Sequence, residues 1–174
     1  MPRSYCFIKK FDKQYIKKIN KKVAIIYRNY EKDPSLKEII ELKNFCRKTG
    51  RKFLISKYAK IAFMLKLDGL YIPSFYSNCD LNKYVTTKKF IVVGSAHSVR
   101  QIKIKEKQKV QQIFLSPIFK TNKKLNFLGI NRFNILAKTT KKKVIALGGI
   151  NKKNIKKLNL TNSYGFAGIS FFKK

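Results

Sequence analysis

VVGSAHS (residues 92–98), IFLSPIFKTNKK (113–124), VIALGGI (144–150) and GFAGISFF (165–172) follow one another at intervals of about 20–30 residues. Each is a short, apolar, β-prone run that ends among Gly, Ser or Thr. Strands of this kind, separated by room for one helix each, read as βα units of a parallel sheet. In a closed βα barrel the loops after the strands form the active face. Small residues there let backbone N–H groups approach a ligand, and phosphate is the usual ligand for such a lining.

Working outward from these four runs, the rest of the chain supplies four more. The expected strands are Tyr5–Ile8, Val23–Tyr27, Phe53–Ile55, Gly69–Ile72, Phe90–Val93, Gln112–Leu115, Val144–Leu147 and Gly165–Ala167. Helical periodicity lies between them. Pro34 and Ser35 precede Leu36, Ile39, Ile40, Leu42, Phe45 and Cys46 at helical spacing. Ala59, Ala62, Phe63 and Leu65 predict a short helix. Ser98 is a candidate N-cap for Val99–Val110, Asn131 for Phe133–Lys138, and Asn151 for Lys152–Leu158. Eight strands alternating with about seven helices predict a (β/α)8 barrel over residues 1–174 as one domain. It is short for that fold, and only a few residues follow the eighth strand, so the eighth helix is expected to be a stub. Phe171 and Phe172 beside strand eight are then an apolar strip on which a homodimer could pack. Phe7, Phe53, Phe63, Phe90 and Phe114 are expected in the core.

Composition bounds the function. Hydrophobic residues make up 44% of the 174, too many for a disordered basic tail. No apolar run is long enough to predict a membrane helix. The N-terminus lacks a signal-peptide pattern, and Cys6, Cys46 and Cys79 are spaced for neither a metal nor a disulfide framework, so a cytoplasmic protein is expected. Net charge is +33, carried by 35 Lys and 6 Arg. Arg is the usual reader of bases and phosphates, and the lysines are spread over nearly every segment. Compositional drift accounts for that pattern best, with anionic small-molecule substrates next and a nucleic acid last; the residues Lys, Asn and Ile are enriched together.

Taken in order, GSAHS, SPIFKTNKK, ALGGI and GFAGIS resemble the thiamine phosphate synthase and TenI family. The resemblance implies a (β/α)8 fold and a reaction that joins a thiazole phosphate to a pyrimidine methyl pyrophosphate, with Mg²⁺, releasing pyrophosphate. It implies that Gly148, Gly149, Ile169 and Ser170 hold the thiazole phosphate. Pro117, Ile118, Phe119, Thr121 and Lys124 match the family loop after strand six, and Thr121 is a substrate-contact candidate. Ser95 and His97 match the turn after strand five. Arg28 is retained after strand two. Arg28 and Lys124 are thus candidates to clamp pyrophosphate, with Lys57 and Ser95 assisting.

The first half departs from the pattern. The two family Mg²⁺ carboxylates fall on Lys57 and Tyr76, and neither side chain suits a hard cation. Asp80 is the best remaining carboxylate; otherwise Arg28 and Lys57 stand as fixed cations in place of a metal. No residue of the chain is therefore assigned to a metal. Three other readings stay open: the tautomerase branch, which the family pattern implies needs a His where Pro117 stands and for which His97 is a substitute; a non-catalytic binder of phosphorylated ligands; and a basic nucleic-acid-binding protein.

Overall fold

Apolar side chains on both faces of every strand decide the architecture. In a computed structural model that describes residues 1–78, 89–122 and 126–173, eight parallel strands close into a barrel in sequence order. They are β1 (Ser4–Ile8), β2 (Ala24–Tyr27), β3 (Phe53–Ser56), β4 (Gly69–Ile72), β5 (Ile91–Ala96), β6 (Gln112–Leu115), β7 (Lys143–Leu147) and β8 (Gly165–Gly168). β1 closes the ring by pairing with β8, Tyr5 opposite Ala167. Strands buried on both faces read as continuous apolar runs, which is why they were visible in the sequence.

The alternation of side chains splits the core into two layers. Tyr5, Phe7, Ile26, Leu54, Tyr71, Val93, Phe114 and Ile145 fill the barrel. The rings of Phe7 and Tyr71 meet edge-on at 5.1 Å, and those of Tyr5 and Phe114 meet tilted at 4.9 Å. The interior is therefore packed, and ligands have only its ends. The outer layer includes Ile25, Ile55 and Ile113 with the helix residues Ile16, Leu42, Ile102 and Phe133.

The helices are α1 (Lys13–Lys18), α2 (Leu36–Lys48), α3 (Ala59–Met64), α4 (Val99–Lys107) and α5 (Gly129–Lys138), with a 3-10 helix at Ile155–Leu160. Ser98 caps α4 by accepting from the Gln101 amide. Two expected caps are corrected. α5 begins at Gly129, because the amides of Leu128 and Gly129 donate to the carbonyls of Pro117 and Ile118 and the β6 loop runs straight into the helix. Asn151 turns the chain instead of capping a helix: its Oδ1 accepts from the Lys153 and Asn154 amides, and the segment that follows is 3-10 with no buried residue.

β5 runs three residues further than expected, through Gly94, Ser95 and Ala96. Gly94 does not end the strand; it makes room. A Cβ there would lie 2.8 Å from Cδ of Lys105. Lys105 is fully buried, and its ammonium donates to the carbonyls of Pro73 and Tyr76 and to Gln108 Oε1. Phe63 is also corrected: it is 42% exposed on α3 and touches Phe90 only at its edge.

Among the described residues no helix follows β8. Phe171 and Phe172 do not stand out as a strip. Both are half-buried: Phe172 stacks on Phe166, Phe171 meets both rings edge-on, and together they cover the flank of β8 within the chain. Cys6 and Cys46 are buried free thiols, and burial pushes Cys46 up to about 12, so it is a core residue without nucleophilic character. Among the described residues no helix is long and apolar enough to cross a membrane.

Candidate functional site

The C-terminal ends of the strands bring together most of the candidate residues, on two sides of one mouth. On the first side the backbone dominates. Gly148 and Gly149 follow β7 with φ of +93° and +71°, a region other residues rarely adopt. The loop after β6 packs directly onto this turn. Phe119 N donates to Gly148 O at 3.1 Å, and a Cβ on Gly149 would lie 2.4 Å from the Phe119 carbonyl oxygen. The need for glycine at 149 thus arises first from the neighbouring loop, not from an approaching anion. Asn154 fixes the turn from outside, donating to Gly149 O. Because β7 and β8 pair, Leu147 opposite Ala167, the exposed Ile169–Ser170 segment continues beside the glycines. Thr121 is half-buried on the same β6 loop. Lys124 and Asp80 lie outside the described residues.

On the second side, side chains dominate. Arg28 leaves the end of β2 and lays its guanidinium over the ring of Phe7, 4.2 Å from the centroid, and near Tyr30 at 5.5 Å. Its charge also acts on the fully buried Tyr71 phenol, as does the Ser95 hydroxyl from β5. Burial pushes the Tyr71 phenol up, while Arg28 and Ser95 act against that, so the hydroxyl stays protonated between them. Ser56, opposite Tyr71 in the β3–β4 register and on the inward face with Leu54, has a buried Oγ with no hydrogen-bond partner among the described residues.

Tyr71 and Ser56 were missed in the sequence. The available signal was their place: polar atoms at inward positions of strand ends.

Lys57 sits at φ +59°, which costs a lysine about 1 kcal/mol or more. Its ammonium leans 4.8 Å over the Tyr58 ring. A hydrogen bond with Tyr58 is the main cause of its raised pKa, with Asp33 adding to it. Tyr58 in turn donates to Asp33. Lys57 is therefore engaged at the rim beside β2.

The described residues do not fit a Mg²⁺ ion. The two positions where the resemblance places carboxylates hold Lys57 and Tyr76, and the Tyr76 ring packs against the outer core. Glu31 pairs with Lys9 and Asp33 with Tyr58. Among the described residues no three His, Cys, Asp or Glu gather as metal ligands.

A groove of about 1040 Å³ opens from the mouth toward α1, lined by Phe7, Arg28, Tyr30, Ile169, Phe172 and Lys173 among others. His97, after β5, is held from both sides: Nδ1 lies 2.6 Å from the Ser116 carbonyl oxygen and Nε2 3.1 Å from Ser74 Oγ. Exposed lysines occur on every described α-helix, including Lys13, Lys37, Lys60, Lys103 and Lys138, so among the described residues the charge forms no single stripe for a nucleic acid.

Comparison with known proteins agrees with this geometry. The family model described as thiamine monophosphate synthase matches residues 9–172. The Aquifex aeolicus protein named "Putative thiamine-phosphate synthase 2" is 32% identical over 183 aligned positions, covering 99% of this chain and 98% of that one. A thiamine-phosphate synthase of Prochlorococcus marinus is 32% identical over 70% of this chain, which spans only 36% of that longer protein. Among solved structures, thiamine phosphate pyrophosphorylase from Pyrococcus furiosus superimposes with a TM-score of 0.78 at 20% identity, covering 97% of this chain and 86% of the other. At that identity the likeness speaks for the barrel alone.

Proposed function

Because the chain belongs to the thiamine monophosphate synthase family, we propose that its barrel mouth joins a thiazole phosphate to a pyrimidine methyl pyrophosphate. The observation that carries this reading is the meeting, at one mouth, of a glycine turn with a guanidinium held at a fixed place. The turn at Gly148 and Gly149 with Ile169 and Ser170 takes the thiazole phosphate. Arg28, with Lys124, takes the pyrophosphate, assisted by Lys57 and Ser95; Thr121 contacts ligand.

The bond from the pyrimidine methylene carbon to pyrophosphate breaks, and its electron pair leaves with the pyrophosphate. The thiazole nitrogen then supplies the pair that forms the new C–N bond. This chemistry asks for orientation and charge stabilisation, and no protein nucleophile. Arg28 suits the second task because Phe7 and Tyr71 hold it in place before the leaving group develops charge. In the family a magnesium ion shares that work; here no step is assigned to it.

A second reading, binding of phosphorylated ligands without catalysis, is favoured by Lys57 and Tyr76 standing at the carboxylate positions. The experiment that separates the two is an assay of purified protein with both substrates, with Mg²⁺ and with a chelator. Thiamine phosphate formation supports the first reading. Saturable binding of thiazole phosphate with no product under either condition supports the second. Neither product nor binding overturns both.

A further inference from the structure

Three neighbouring strand ends assemble a group that the synthase reading leaves unused. Ser74 follows β4, His97 follows β5 and Ser116 follows β6. The His97 Nδ1 faces the Ser116 carbonyl oxygen at 2.6 Å, with Ser116 Oγ at 3.3 Å. A carbonyl oxygen only accepts, so in the neutral ring Nδ1 carries the proton. Nε2 then presents its lone pair, and Ser74 Oγ lies 3.1 Å from it and donates. The ring is held further by its own backbone, since the His97 amide donates to Gln101 Oε1 at 2.7 Å. Ser74 and His97 are half-buried, so the pair is partly open to solvent while the base is fixed.

A hydroxyl bonded to a base that a third group orients is the arrangement of an activated nucleophile. We propose that Ser74 and His97 form a nucleophilic pair at this mouth, with the Ser116 carbonyl as the orienting group, and that it takes the acyl group of small carboxylic esters. As Ser74 Oγ attacks the ester carbon, its proton passes to His97 Nε2. The C–O bond to the alcohol then breaks, and the alcohol leaves with that proton. Water repeats the sequence on the acyl-serine: it gives its proton to Nε2, and Ser74 takes the proton back as the carboxylic acid departs. The balance needs only ester and water.

The test uses an alkyl fluorophosphonate reporter, because activated esters would also acylate the many exposed lysines. Intact-mass measurement of the native protein should show one phosphonyl adduct per chain, and peptide mapping should place it on Ser74. Ser74→Ala should abolish it. His97→Gln should slow it by about 100-fold or more. Circular dichroism should show both variants folded; if His97→Gln fails to fold, Ser74→Ala alone decides. No adduct on the native protein, or an adduct that persists in Ser74→Ala, overturns the proposal. None of these readouts uses thiazole or pyrimidine substrates, so they stand apart from the synthase reading.

Discussion

The two sides of the mouth are built on different principles. From β6 to β8 the ligand face is backbone: turns whose shape is set by φ and by one loop lying on another. From β2 to β4 it is side chains: Arg28 on Phe7, Tyr71 beneath it, Lys57 on Tyr58. A backbone surface tolerates few substitutions, because a Cβ collides wherever it is added. A side-chain surface can be exchanged one residue at a time while the barrel stands. This difference accounts for why the glycine side keeps the family pattern and the cation side departs from it.

The hardest way to break the comparison is Gly149→Val. The valine would occupy φ +71° with its Cβ against the Phe119 and Lys120 carbonyls. We expect a loss of about 3 kcal/mol, or roughly 6–12 °C in melting temperature, and loss of thiazole phosphate binding by calorimetry. Gly50→Ala is the control. Its φ is +66° but nothing lies within 4 Å, so only the conformational cost of about 1 kcal/mol is expected. Equal losses in the two variants would remove the role assigned to loop packing.

The cation side should lose function without losing the fold. Arg28→Met should weaken binding of inorganic pyrophosphate by roughly 30- to 100-fold, the value of a charged hydrogen-bond donor, and leave the melting temperature within a few degrees. Tyr71→Phe removes only the hydroxyl between Arg28 and Ser95. It should weaken the same binding by about fivefold. A large loss of stability in Arg28→Met would show that this side, too, is architecture.

The smallest effect is also the sharpest. Lys57→Asn replaces a strained lysine with a residue that tolerates φ +59°. Stability should rise by about 0.5 kcal/mol, while pyrophosphate binding falls a few-fold if the ammonium serves the mouth. A rise in stability with unchanged binding would assign Lys57 to the Tyr58–Asp33 cluster alone.

The barrel was legible because burial on both faces writes each strand as an unbroken apolar run, and because turns such as Gly148–Gly149 require one residue type. The glycine side of the site was legible for the same reason. Ser95 was legible from its motif, but its partner Tyr71 was not. Nothing local marks a tyrosine in an apolar strand as polar until the register sets it beside Arg28. Asn151 misled because an Asn closes an Asx turn as readily as it caps a helix, and Asn131 because the anchored β6 loop starts α5 two residues earlier. Phe171 and Phe172 read as a surface strip, yet they fold onto Phe166.

Lys105 bears on how the lysine-rich composition itself is read. A residue acquired through codon bias can be traded for any neighbour that water accepts. Lys105 cannot be traded in that way. Its methylenes fill the space that Gly94 leaves, and its ammonium ties the chain after β4 to α4 through Pro73, Tyr76 and Gln108. Glycine and lysine at these two positions form one steric unit, so a change at either is tolerated only with a change at the other. Among lineages whose base composition runs the opposite way, the surface lysines are free to vanish, whereas this pair is expected to persist or to be replaced together.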